Sequence, residues 1–510
     1  MSIEKSGNIW FGKSIWAAAL LLSWPHIAAA QQIAIAGYAV PTVDAFSSGV
    51  PGGGIVTGPD GALWFTEPDG AKIGRITVAG QITEFPLPPS GANPAGIAVL
   101  HGLLWFAEGT NQIGSITTAG VITEYPVPTA DSHPTGIAAG PDGALWFTEN
   151  YGNNIGRITK AGVVTEYPLP AADSFPNYIT AGPDGALWFT ESGFNNVGKI
   201  GRITTAGVIT EYATPTTGSD PMEIAKGPDG ALWFTEQSGN NIGRITTAGV
   251  VTEYPVPTAM CQPFGISKGP DGALWFTEFA LNVYQIGRIT TAGVVTEYPL
   301  PVAGRPSVIA EGPDTALWFA EGSSAEGGSA IGQAVFVTAT LTVSPAGGPY
   351  QAPLTFDGSG FAAGETVQIY SSGVGSALLA SATADGGGSF TATARAPLLP
   401  WGPRLFFGVG QSSGKLGAAN FTVTPRMTLN PDSGAVGSSA TAQGYGFGAD
   451  ESVEFSWTEP QYLLGIVVAD INGKVALTFT VPPKSPPGQH TVSLHGEFTG
   501  VHASAYFTVP

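Results

Sequence analysis

Seven glutamates recur through the first two thirds of this 510-residue chain: Glu67, Glu108, Glu149, Glu191, Glu236, Glu278 and Glu321. Each ends a copy of one motif, which reads Gly-Pro-Asp-Gly-Ala-Leu-Trp-Phe-Thr-Glu at 58–67. Gathered round one opening, such carboxylates make a negative field for a cation or a basic ligand. Kept each in its own repeat, they cap turns by accepting loop N–H groups. Every copy keeps its Glu, whereas an asymmetric site needs one or two, so turn capping is expected for most. Specificity is better sought where the copies differ. Ahead of the motif they read Asn93-Pro-Ala95, His133-Pro-Thr135, Phe175-Pro-Asn177-Tyr178, Asp220-Pro-Met222-Glu223, Gln262-Pro-Phe264 and Arg305-Pro-Ser307. Aromatic, acidic, basic and amide side chains in equivalent places are what a binding surface requires, with Asn177, Tyr178, Met222, Phe264 and Arg305 as its candidate contacts.

The elements that carry these residues follow from the period. The motif tryptophans Trp64, Trp105, Trp146, Trp188, Trp233, Trp275 and Trp318 lie 41–45 residues apart. Seven copies of that length, rich in β-branched and aromatic residues and punctuated by Gly and Asp turns, predict an all-β, seven-bladed β-propeller with one four-stranded sheet per repeat. Strands alternate direction, so the glutamates and the residues before each proline share one mouth of the disc. Alternation within a strand puts Trp146 and Thr148 on one face of a blade and Leu145 and Phe147 on the other, both buried against neighbours. The seventh copy lacks its last strand, and Ile35 to Thr42 supplies the matching pattern, so an N-terminal strand is expected to close the ring. Arg75/Glu84, Arg157/Glu166, Arg202/Glu211, Arg244/Glu253 and Arg288/Glu297 read as cross-strand ion pairs; Ser115/Glu124 breaks that rule, and Gln333 and Gly37 replace both members in the closing blade.

Composition narrows the function classes. With 72 Gly, 42 Pro, 11% charged residues and a net charge of -19, the chain has no basic cluster for nucleic acid. Residues 1–30 read as a secretory signal: Lys5 and Lys13, then an apolar run shorter than a bilayer span, then Ala28-Ala29-Ala30. A periplasmic or extracellular location is expected, with no membrane span after cleavage. The single cysteine, Cys261, can form no internal disulfide and has no adjacent histidine to activate it. Beyond residue 336 the period is replaced by an 86-residue offset: Leu341/Met427, Pro345/Pro431, Glu365/Glu451 and Phe421/Phe507. This predicts two β-sandwiches, 337–423 and 424–510, which resemble the Ig-like modules of bacterial surface proteins and would act as spacers or touch the cell envelope.

The unit Gly-Ile-Ala-x-Gly-Pro-Asp-Gly-Ala-Leu-Trp-Phe-Thr-Glu, followed by Ile-Gly-Arg-Ile-Thr-Thr-Ala-Gly and Thr-Glu-Tyr-Pro, resembles the virginiamycin B lyase (streptogramin B lyase) family over residues 31–336. The resemblance implies a seven-bladed propeller that opens a cyclic depsipeptide lactone by elimination. It also implies magnesium held by an acid before the proline and by the Glu of the motif, with a histidine after the proline as base. Asp220 and Glu236 occupy the two acid positions. The base position holds Met222 there and Ala95, Thr135, Asn177, Phe264 or Ser307 elsewhere, while His133 falls in the acid position. Elimination needs a group that accepts a proton near neutral pH, which those side chains do not supply. The expectation is therefore an exported module that recognises a small molecule, peptide or glycan. The alternative is a magnesium-dependent C–O lyase or hydrolase acting on a cyclic ester, depsipeptide or glycan, with His133 or Glu223 as base.

Overall fold

The computed structural model describes residues 32–42, 44–46, 53–88, 93–193, 197–280, 283–300, 304–322, 329–371, 378–458, 461–497 and 499–510. The signal reading at 1–30 lies outside these residues, as do parts of the loops following Glu191, Glu278 and Glu321. Among the described residues every regular element is a strand.

The repeats fold as four-stranded antiparallel sheets, seven of them among the described residues, arranged as a β-propeller. The third runs Pro134–Ala139, Leu145–Glu149, Asn154–Ile158 and Val164–Pro168, here strands a to d. Its register sets Trp146 opposite Arg157 and Phe147 opposite Gly156. A Cβ on Gly156 would lie 2.1 Å from the Phe147 ring, so this strand glycine makes room for the phenylalanine. On the other face Trp146 stacks on Tyr167, centroids 5.4 Å apart. The next blade's turn glycine, Gly207 (φ 85°), then approaches that tyrosine so closely that a Cβ would sit 2.3 Å from it. The turn needs a left-handed residue, and the packing needs one without a side chain.

Neighbouring blades are also coupled by threonine. Thr148 Oγ1 accepts from Gly136 N in its own blade and donates to Asn177 O of the next, at 2.8 and 2.6 Å. Thr190 and Thr235 repeat the relay toward Met222 O and Phe264 O.

The closing strand falls where the pattern placed it. Ile33–Ala39 pairs antiparallel with Ala330–Phe336, outermost in a sheet with Leu317–Gly322 and Arg305–Glu311. Its Tyr38 stacks on Trp318 at 5.6 Å and meets Gly80 of the first repeat, and Thr57 Oγ1 reaches Glu311 O at 3.1 Å, joining the ends of the ring.

The expected Arg/Glu pairs do not form. Arg157 Nε instead meets Asp142 Oδ2 at 2.7 Å, and Asp142 Oδ1 accepts from Trp146 Nε1 at 3.1 Å. The same hub recurs with Asp60, Asp184, Asp229 and Asp271. The cause is the turn, which folds its Asp back over the tryptophan edge where the arginine lies. The sequence exception then makes sense: the second repeat has Leu100-His101-Gly102 in place of Pro-Asp-Gly, so Ser115 stands where an Arg would lack its acid, and Trp105 Nε1 has no acceptor.

The tail forms a three- and a five-stranded sheet from 340–423, then a three- and a four-stranded sheet from 426–509. Their cores gather round Phe356, Phe406 and Phe421, and round Trp457, Phe479 and Phe507. The tail also packs on the propeller. Leu405 and Phe407 share one apolar cluster with Ala36 and Tyr38 of the closing strand. Arg404 lies over the Tyr38 ring at 5.1 Å and donates to Gly37 O at 2.6 Å. Gly37, in the place of the strand-d glutamate, is packed by Pro403.

Candidate functional site

At the mouth, the residue before the strand-a proline holds a left-handed backbone in five of the copies, though not at Arg305. Asn93, His133, Phe175, Asp220 and Gln262 have φ of 74°, 49°, 48°, 52° and 53°. For a phenylalanine that conformation is a strained outlier. It is held by the b–c loop, whose first N–H donates to the strained residue's carbonyl: Asn150 to His133, Ser192 to Phe175, Gln237 to Asp220, Phe279 to Gln262. A bulge follows, since Pro134 pairs with Glu149 but Ile137 with Phe147. The side chain before the proline thus stays at the surface, and the one after it enters the ring of inner strands.

That geometry sorts the predicted contacts. Met222 and Phe264 are 2% exposed, Tyr178 6% and Asn177 7%. They are wall rather than surface: Asn177 accepts from Asn150 and donates to Ser192, and Tyr178 packs edge-on against Phe264 at 6.0 Å. Arg305 alone of the five reaches the mouth, its guanidinium 4.0 Å above the Phe279 ring and its Nε donating to Phe279 O at 3.0 Å. Across the mouth the His133 ring packs tilted against Tyr151 at 4.5 Å, and Tyr151, 63% exposed, meets Phe175 edge-on at 6.1 Å. Tyr151 and Phe279 were not singled out by sequence. The signal was there, because Phe279 stands where the equivalent loops carry Pro68, Gly109 or Gln237, and Tyr151 where they carry Asp69, Thr110 or Ser238.

The seven glutamates are not turn caps. All are buried, and among the described residues no backbone N–H donates to them. Each of the first six turns toward the strand-d glutamate of its own blade. Glu149 and Glu236 lie beside Glu166 and Glu253, whose charge adds to burial in favouring their neutral form. The outer member is clamped by the preceding linker: Thr129 N and Oγ1 donate to Glu166 at 2.9 and 3.0 Å. Burial first, then the facing carboxylate, pushes Glu108, Glu149 and Glu191 up to about 7 and Glu67, Glu236 and Glu278 to about 8. Glu321, with Gly37 opposite, reaches about 8 by burial alone. Cys261 is a buried small residue in the place of Ser132, Ser174 and Ser219, its thiol pushed up by burial and by Glu278.

The magnesium pair implied by resemblance does not fit this arrangement. Mg²⁺ keeps several waters in an octahedral oxygen shell. Glu236 is 0% exposed, its Oε2 accepts from Asn241 Nδ2 at 3.0 Å, and burial favours its neutral form. Asp220 stays on the rim, where Ser238 Oγ donates to it at 3.4 Å. Among the described residues no group of three or more His, Cys, Asp or Glu is placed to hold a metal.

Nor are the two candidate bases brought to that pair. His133 makes its ring contact with Tyr151, and no hydrogen bond or ion pair links it to Asp220 or Glu236. Glu223 lies on an inner strand with Oε2 accepting from Ile266 N at 2.9 Å, and burial raises it to about 8. At neutral pH it keeps its proton and so donates rather than abstracts.

Fold and mouth together define a β-propeller whose repeated positions build the ring and whose unrepeated ones gather at one mouth. The virginiamycin B lyase family model matches residues 6–129, 100–258 and 193–355, and the chain belongs to that family. A solved streptogramin B lyase is 40% identical, with a TM-score of 0.54, over 60% of this chain and 98% of its own. A catalytically inactive histidine-to-alanine variant of Staphylococcus aureus virginiamycin B lyase, solved with quinupristin, is 41% identical with the same TM-score over 60% of this chain and 100% of its own. Virginiamycin B lyases of Bordetella pertussis and Bordetella parapertussis are 46% identical over 44 residues, 9% of this chain. The match spans 15% of those relatives' length.

Proposed function

We propose that this is an exported, seven-bladed member of the family that recognises a ligand at the propeller mouth without eliminating it, carried on two Ig-like sandwiches. The observation that supports this most is the fate of the position after each strand-a proline. Where a base would stand, Met222, Phe264 and Asn177 are buried and committed to packing or hydrogen bonds. Recognition falls instead to the rim: the His133–Tyr151–Phe175 cluster on one side, Asp220 in the middle, and Arg305 over Phe279 on the other. The ligand is a small molecule, peptide or glycan that offers a flat or apolar group to the rings and an acceptor to Arg305, whose guanidinium hydrogen-bonds only a backbone carbonyl among the described residues.

Quinupristin is the probe for this reading. Saturable binding by the full chain, measured calorimetrically, is expected to weaken at least tenfold in Tyr151→Ala and in Arg305→Ala, while Lys160→Ala on the opposite turns leaves it unchanged. Binding that ignores both rim variants would remove the mouth as the site.

A further inference from the structure

Arg404 is 4% exposed at the junction of the closing blade and the tail, and no carboxylate hydrogen-bonds it. Its bonds go to carbonyls: Nη1 to Gly37 O and Pro403 O at 2.6 and 3.1 Å, Nη2 to Trp401 O at 2.8 Å. Three of its five N–H donors are thereby used. Nε–H and one Nη2–H, on neighbouring nitrogens, have no protein acceptor among the described residues. A buried guanidinium without an anion carries a large desolvation cost that carbonyls and a ring face offset only in part. Arg404 lines a cleft of about 200 Å³ bounded by Tyr38, Gly80 and Gln81 of the propeller, Ser371 and Pro400 of the first tail module, and Ile471 and Asn472 of the second. Tyr38 cannot supply the missing charge, because its hydroxyl donates to Gln333 Oε1 at 2.9 Å and burial holds it neutral, pushed up to about 12.

We propose that this cleft is a binding site for a small organic carboxylate, held at two points by the free donors of Arg404 and flanked by the amides of Gln81 and Asn472. A carboxylate matches adjacent guanidinium N–H groups in a way that chloride does not. The cleft is below the size of drug-like pockets, which restricts the ligand to a few carbons. Because the cleft is walled by all three modules, an occupant would tie the tail to the strand that closes the ring.

Thermal unfolding of the full chain in acetate or succinate, against sodium chloride of equal ionic strength and pH, tests this. The wild type is expected to gain several degrees in carboxylate over chloride, and Arg404→Met to gain none. Equal Tm values in carboxylate and chloride for the wild type would overturn the proposal, and so would an equal carboxylate gain in Arg404→Met. Should Arg404→Met fail to fold, Asn472→Leu fills the cleft while leaving the guanidinium and its carbonyls in place. It must lose the gain, and retention of the gain would overturn the proposal equally.

Discussion

Raising the pH from 5 to 8 is expected to lower the propeller's Tm by roughly 5–10 °C. The cause is the ring of buried glutamates. Glu67, Glu108, Glu149, Glu191, Glu236, Glu278 and Glu321 all hold their protons to about 7 or 8, against 4.5 for an ordinary glutamate. Between pH 4.5 and 8 the folded chain therefore binds more protons than the unfolded one, and stability falls as pH rises through that window. A tenfold change in acidity is worth about 1.4 kcal/mol, so a fraction of it at each of seven sites amounts to several kcal/mol. The opposite slope belongs to Asp60, Asp142, Asp184 and Asp229. Hydrogen bonds from their Trp and Arg partners outweigh a contrary desolvation effect and lower them, so their stabilisation is present above the ordinary Asp value of 3.8 and is lost as pH falls below it. The two trends put the stability maximum at about pH 4, between the ordinary Asp and Glu values. Differential scanning calorimetry across pH 3.5–8.5 checks it, and a Tm that stays level or rises from 5 to 8 would show that the glutamates ionise inside the fold.

Truncating a blade tryptophan, as in Trp233→Ala, is expected to cost about 3–5 kcal/mol. Trp233 is fully buried, stacks on Tyr254 at 5.6 Å and gives its Nε1–H to Asp229 at 3.0 Å. Asp229 in turn holds Arg244, whose guanidinium lies 5.8 Å from the same ring. The substitution therefore removes packing and disturbs an ion pair together. A double-mutant cycle with Asp229→Ala is expected to give a coupling of roughly 0.5–3 kcal/mol. The second blade supplies the control, since Trp105 has neither the Asp nor the Arg. Trp105→Ala should cost about as much by packing, and pairing it with His101→Ala, which stands in the same turn, should give near-additive losses. Urea unfolding midpoints decide, and a loss below 1 kcal/mol for Trp233→Ala would mean that the blades are not held through their tryptophans.

How much of this was legible follows from which contacts are local. The repeat, the four-strand sheets and the closing strand at Ile33–Ala39 depend on hydrogen-bond pattern and spacing, and both are written along the chain. The partner of each arginine was not, because strand registry puts Arg157 across from Thr165 and leaves its long side chain free to reach the turn at Asp142. The lapse of both residues in the second blade was nevertheless a usable clue. The placing of Glu149 beside Glu166 was hidden for a similar reason: like charges are not expected to lie together, and burial is what favours the neutral form of the inner one. At the mouth, the prolines and the varied residues before them were visible. The left-handed backbone that turns those residues outward, and sends Met222 and Phe264 inward, is a product of the bulge and of the b–c loop behind it. The docking of the tail on Gly37 could be read only as a missing glutamate.

The central claim is recognition at the mouth without elimination. Elimination opens a ring without changing its mass, so the direct measurement is chromatographic: quinupristin incubated with the full chain and Mg²⁺ near neutral pH, followed for a product of altered retention and a new alkene absorbance. The account predicts that quinupristin is recovered intact at every time while remaining bound. Ring opening by the wild type that is abolished in Glu236→Gln would contradict it, and would place a working metal and base at a mouth where buried glutamates and Met222 now stand.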